Sequence, residues 1–211
     1  MNRIDYIRPT PLLDVLRSRT REAHEHLHGH SSFCALFNGT IELSEYIALT
    51  RYQYDFYSLL DPVINAALAN TEPAFDYVCR SDLLGQDLRD LGQEPPLANG
   101  FDQDTDLFNF VTPETVGGVL YVVEGATMGG SQIDRAAQRT LSAKDISGRR
   151  YWAWCRANAR HRWPMVQADL MERYPEPDTY EAPVAGAVRA FELFGQWLAP
   201  LHNPAHRTSD F

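Results

Sequence analysis

Two short segments hold the residues best suited to chemistry. In Thr20-Arg21-Glu22-Ala23-His24-Glu25-His26-Leu27-His28, imidazoles and carboxylates crowd behind a run of arginines. Imidazole is the usual protein ligand for zinc, iron and copper, and it is neutral near physiological pH, as coordination requires. In Gly125-Ala126-Thr127-Met128-Gly129-Gly130, three glycines fall inside a helical hydrophobic period. Each interior glycine costs roughly 1 kcal/mol against alanine, so the segment gives up helix stability for some other end. Gly125 and Gly129, four apart, lie on one helical face and open a groove where a flat molecule can touch the backbone. A kink or a close helix crossing would also call for glycine there.

The elements that position these residues are helices. From Leu13 to His28 the apolar stripe is Leu13, Leu16, Thr20, Ala23 and Leu27. At about 100° per residue His24 falls on the shoulder of that stripe, at the border between core and solvent. Arg17, seven positions earlier, lies on nearly the same meridian and about 10 Å along the axis. A neutral imidazole at an apolar boundary with a cation two turns away suits an amphiphilic metal macrocycle that carries carboxylates. From Val116 to Leu141 the positions Val119, Leu120, Val123, Ala126, Ile133, Ala137 and Leu141 recur at three- and four-residue steps, which predicts the helix that holds the glycines.

Helical periodicity extends over 12–29, 43–69, 74–92, 113–141, 147–173 and 181–200, broken at joints rich in Pro, Gly and Asp. The stretch 92–106 reads as a surface loop. The expected architecture is all-α, a single domain over residues 1–211 with its core at about 10–200. Cys34, Cys79 and Cys155 are odd in number and widely spaced, which argues against a disulfide framework or zinc knuckle.

His24-Glu25-His26-Leu27-His28 also satisfies H-E-x-x-H, the zinc metalloprotease signature. The longer form of that signature is absent, because Ser31 and Cys34 stand where a glycine and a third histidine belong. No alternating strand is available to align a peptide, and the glycine helix would have no role. His26, His28 and His30 read as solvent-facing residues or supports.

Together the two segments resemble the heme oxygenase family. Thr20 to His24 is similar to its proximal-ligand motif, and Gly125 to Gly130 to its distal-helix glycine motif. Phe33, Gly39-Thr40, Tyr46 and the run from Tyr54 to Asp61 keep the family's register from His24 to Tyr57 without a gap. The form Glu124-Gly125-Ala126-Thr127-Met128-Gly129-Gly130 resembles the bacterial branch that makes biliverdin, often for bacteriophytochromes. The resemblance implies a multi-helix bundle with heme, both substrate and cofactor, between a proximal and a distal helix. It implies His24 as the iron ligand and Gly125, Gly129 and Gly130 as the wall opposite. Arg17 matches the first-helix cation that holds the propionates; for the late-helix cation the candidates are Arg156, Arg160 and Arg162. Tyr57 aligns with a tyrosine of the distal hydrogen-bond network, and Tyr121 and Thr127 are weaker candidates. The expected reaction opens heme to biliverdin, carbon monoxide and ferrous iron, with O2 and electrons from a ferredoxin or reductase. Two positions depart from the mammalian pattern. Ala126 replaces the aspartate that organises proton-delivering water, and His28 replaces a glutamate that supports the proximal imidazole. A protein that binds heme without degrading it would share the proximal histidine and the pocket.

Charge is unevenly distributed. The chain carries −9 overall, which argues against nucleic acid and anionic membrane surfaces as partners. Residues 131–162 nevertheless hold eight basic side chains against Asp134 and Asp145, a local +6 that leaves −15 for the rest. A solvated helix face explains such a patch; so does a docking site for an acidic electron donor. No signal-peptide pattern or apolar run of about 18 residues occurs, and the polar tail 203–211 is unlike the membrane anchor of eukaryotic relatives, so a cytoplasmic protein is expected.

Overall fold

A computed structural model describes residues 11–69, 71, 73, 75–96, 105–142 and 147–202. Among these the chain forms eight α-helices and no strand. They are α1 (Leu12–His28), α2 (Ser31–Asn38), α3 (Leu43–Leu68), α4 (Arg80–Asp90), α5 (Val116–Gly125), α6 (Gly130–Ser142), α7 (Arg150–Arg173) and α8 (Glu181–Leu198). The architecture is all-α, as the periodicity predicts, and no described helix is long and apolar enough to cross a membrane.

One cluster of buried side chains runs from Leu12 and Leu16 on α1, through Phe56, Leu60 and Ile64 on α3, to Val184 and Leu193 on α8. α5 lies against α8 and α7, α1 packs on α8, and α6 packs on α7. The α5–α8 approach is close because Gly118 and Gly186 carry no side chain: a Cβ on Gly118 would overlap the Pro183 carbonyl, and one on Gly186 the Thr115 carbonyl.

Several elements differ from the sequence expectation. The expected helix over 74–92 begins only at Arg80, because the carbonyls before it serve arginines rather than helical N–H groups. Arg162 donates to Asp76 O at 2.9 Å, and Arg80 donates to Val78 O. The helix expected from 147 begins at Arg150, after Gly148 at φ 120°, whose carbonyl accepts the Tyr46 hydroxyl at 2.8 Å. α2 was not anticipated. It is started by His30, whose Nδ1 accepts from Ser32 N at 3.3 Å while its Nε2 bonds the Leu198 carbonyl at 3.2 Å, so His30 is buried rather than solvent-facing. The helix expected over 113–141 is divided by a tighter 3-10 turn at Ala126–Gly129. Residues 97–104 of the expected loop, Lys144, Asp145 and the tail 203–211 lie outside the described residues.

Candidate active site

A cavity of about 480 Å³ opens between α1 on one side and the α5–α6 segment on the other. His24 and Arg17 reach it from α1, Gly125 and Gly129 from the opposite wall, and Tyr57 and Tyr121 from α3 and α5. Residues distant in sequence that the two motifs single out therefore meet at one place. Aromatic side chains of other helices, Trp163, Phe191 and Phe194 among them, complete a mainly apolar lining.

The local sequence explains each placement. α1 buries Leu12, Leu16 and Thr20, and the Thr20 hydroxyl donates back to Leu16 O at 2.8 Å. That face fixes the rotation of the helix, so His24 is turned to the cavity border, where its ring meets Phe191 edge-on with centroids 6.0 Å apart. Burial and the neighbouring His28 lower the His24 pKa, against the pull of Glu25. The imidazole is thus held in its neutral, metal-binding form. Arg17 is exposed and pairs with Asp14 at 3.3 Å. Arg21, one turn on, also borders the cavity.

The opposite wall is decided by what the glycines do not do. Gly125 has φ −60° and ψ −37°, ordinary right-handed values open to any residue. A Cβ there would meet the Trp163 ring at 3.5 Å, and one on Gly129 would meet only Ile133 Cδ1 at 3.8 Å, both ordinary contacts. Neither backbone conformation nor helix packing requires glycine at these two positions. What a side chain would occupy is the cavity. Gly130 is different, since a Cβ there would overlap Cys155 Cβ of α7. It permits a close helix crossing and is not among the residues that line the cavity.

Arg162 also departs from expectation. Its guanidinium forks onto the buried Glu124, with Nε to Oε2 at 3.0 Å and Nη2 to Oε1 at 2.8 Å, and it does not reach the cavity. Arg80, fully buried, adds a second cation to Glu124 Oε1 at 2.6 Å and lies over the Trp154 ring at 4.4 Å. Burial opposes ionisation of Glu124, but Arg162 and Arg80 outweigh it and lower its pKa. The residue that precedes Gly125 is thereby tied to both α4 and α7. Arg156 likewise turns to Asp134 at 2.9 Å. Neither it nor Arg160 lines the cavity.

Tyr57 is buried and borders the cavity beside Tyr151, with ring centroids 6.1 Å apart; burial raises its pKa to about 12. Tyr121 lines the cavity from α5 with its ring 5.5 Å from that of Trp163, and burial raises its pKa. Thr127 is buried and donates to Glu124 O at 2.6 Å, which braces the 3-10 turn without lining the cavity. Gln53 escaped the sequence reading. It lines the cavity, is buried, and its Oε1 has no hydrogen-bond partner. The signal was present: Tyr46, Thr50, Gln53 and Tyr57 follow the helical period of one buried face of α3, so an amide at that register requires a polar partner.

The heme oxygenase family profile matches residues 10–200. The chain belongs to the heme oxygenase family. Its fold is that of solved bacterial members. Heme oxygenase-1 from the cyanobacterium Synechocystis sp. PCC 6803, in complex with heme, superposes with a TM-score of 0.69 at 18% identity, covering 91% of this chain and 92% of that one. Heme oxygenase from Leptospira interrogans gives 0.71 at 16%, over 90% of this chain and 100% of that one. Heme oxygenase-2 from Synechocystis, in complex with heme and NO, gives 0.72 at 19%, over 91% and 85%. No curated protein sequence matches the chain.

Proposed function

We propose that this protein is a heme oxygenase in activity as well as family, with heme bound in the cavity between α1 and the 125–129 segment. The observation that carries this reading is the glycine pair at 125 and 129, which neither the backbone nor the packing requires and which faces His24 across a cavity of about 480 Å³. That volume lies within the usual range for small-molecule sites. The chain's residues fit the group. His24 offers a neutral imidazole, Arg17 and Arg21 offer cations for two propionates, the walls are apolar, and the unpartnered Oε1 of Gln53 awaits a donor such as ordered water.

Bound heme supplies, with O2 and electrons from a ferredoxin or reductase, the oxidative opening of its own ring to biliverdin, with loss of carbon monoxide and ferrous iron. The chain's part is to hold and orient. His24 would hold the iron, and Arg17 and Arg21 would pair with the propionates. The bare backbone at Gly125 and Gly129 would leave room in the cavity for O2. Ala126 provides no carboxylate, so water held at the Tyr57 hydroxyl and Gln53 would deliver protons. Biliverdin passed to a bacteriophytochrome is a use consistent with this chemistry.

The test is to mix the protein with hemin, add ascorbate or reduced ferredoxin under air, and follow biliverdin by its absorption. His24→Ala should abolish the normal coordination spectrum and turnover, and free imidazole should restore part of both. Stable heme binding with no ring opening under either donor would point instead to a carrier or sensor. The metalloprotease reading finds no support: among the described residues there is no strand to align a peptide and no cluster of three or more metal-ligating side chains.

A further inference from the structure

His28 touches the residue at the centre of the reading above. The Nε2 atoms of His24 and His28, one helical turn apart on α1, lie 3.3 Å from each other, with ring centroids 4.5 Å apart and planes tilted by 56°. Both rings are exposed and border the cavity. A divalent first-row ion holds imidazole nitrogens at about 2.0–2.1 Å, and at a tetrahedral angle two such nitrogens stand about 3.3–3.4 Å apart. The separation that the hydrogen bond holds is thus also the span of a tetrahedral chelate, and the one-turn spacing on α1 keeps both nitrogens within reach of one ion.

We propose that the heme-free protein binds one divalent transition-metal ion, of the Zn2+ or Cu2+ class, across His24 Nε2 and His28 Nε2, and that this ion and heme exclude each other. In the metal-free protein one ring donates its Nε2–H to the other. On binding, that ring moves its proton to Nδ1, both Nε2 lone pairs face the ion, and no proton is released. Water fills the remaining positions, since no third His, Cys, Asp or Glu gathers there among the described residues. Both rings are reachable from solvent without disturbing the core, and Glu25 beside them adds negative potential. Affinity should follow the order Cu2+ above Zn2+ above Co2+ that nitrogen ligands impose. The exclusion rests on the heme reading, because only a protein that ligates heme iron through His24 has one nitrogen to share. Metal binding alone does not rest on it.

Untagged, heme-free protein titrated calorimetrically with ZnCl2 should show one site, and Co2+ at that site should give the visible bands of a tetrahedral complex. His24→Ala and His28→Ala should each weaken Zn2+ binding about tenfold or more, while His26→Ala leaves it unchanged. His28→Gln, with helicity checked by circular dichroism, separates loss of the ligand from loss of fold. With Zn2+ at about ten times its own dissociation constant, hemin titrations should shift about tenfold toward weaker binding. The shift should vanish in His28→Ala, measured against that variant's own hemin affinity without Zn2+. Zn2+ binding that survives His28→Ala and His28→Gln, or that falls equally in His26→Ala, overturns the chelate. A hemin affinity indifferent to bound Zn2+ overturns the exclusion. Absence of a hemin spectrum in every variant would refute the heme reading while leaving the zinc result to judge the site by itself.

Discussion

At the scale of single residues, Gly125 and Gly129 carry the sharpest test. Because a Cβ meets only ordinary contacts at either position, alanine at 129 should raise the stability of the heme-free protein by up to about 1 kcal/mol, the helix-propensity gain. Leucine at 125 or 129 should leave the chain folded yet slow biliverdin formation strongly, since its side chain enters the cavity. Stability and activity should thus move in opposite directions, measured by urea unfolding and by the hemin assay. Normal biliverdin production by folded Leu variants would remove the glycines from the ligand wall. Asp55 tests a different term. Burial raises its pKa to about 6, Arg51 opposing, and its Oδ1 has no hydrogen-bond partner. The folded state therefore holds this proton more tightly than the unfolded chain, and the carboxylate lowers stability as pH rises from about 4 to 6. Asp55→Asn should stabilise the protein by about 1–2 kcal/mol at neutral pH and by little near pH 4, as denaturant midpoints at the two pH values will show. His24 and the two glycines were legible in the sequence because their types are unusual at those helical positions. The pairing of Arg162 with Glu124 was not legible because a sequence shows a charge and not its partner, and Gln53 stands out only once the buried face of α3 is traced through it.

The helices were legible where a strong apolar period ran for several turns, as in α1 and α8. It failed where local chemistry overrode the period. Eight residues suffice for α2 only because His30 caps its start and is itself held by the far end of α8. The buried Glu124 was the signal for the most consequential tie between elements: a carboxylate amid Val119, Leu120 and Val123 requires a cation. It takes two, from α4 and α7. Glu124→Gln should leave Arg80 and Arg162 buried without a counter-charge and cost about 3–5 kcal/mol, with loosening where α5 meets the glycine turn. Pairing Glu124→Gln with Arg80→Met should recover part of that loss, which a double-mutant cycle of urea midpoints measures. Additive losses would mean that the three groups do not act as one unit.

Across the whole molecule, the basic stretch is less charged than its sequence suggests. Arg149 and Arg156 both turn to Asp134, at 2.5 and 2.9 Å, Arg150 pairs with Asp90, and Arg162 is committed to Glu124. Arg135 and Arg139 on α6 and Arg160 on α7 remain exposed without an acidic partner among the described residues. What reaches solvent is therefore a modest positive face on a chain of net charge −9, enough to orient an acidic donor and too weak to attract polyanions at large. If an acidic ferredoxin docks there, its turnover should fall roughly two- to tenfold between low salt and about 0.3 M, where screening shortens the reach of a charge to about 5–6 Å. Ascorbate-driven turnover should stay level over the same range. Arg160→Glu should lower the ferredoxin-driven rate and its salt slope and leave the ascorbate rate alone. Arg149→Glu should instead destabilise the protein, because it breaks a contact to a buried carboxylate. A flat salt response with both donors would make the patch an ordinary solvated face and send the search for the donor site elsewhere on the surface.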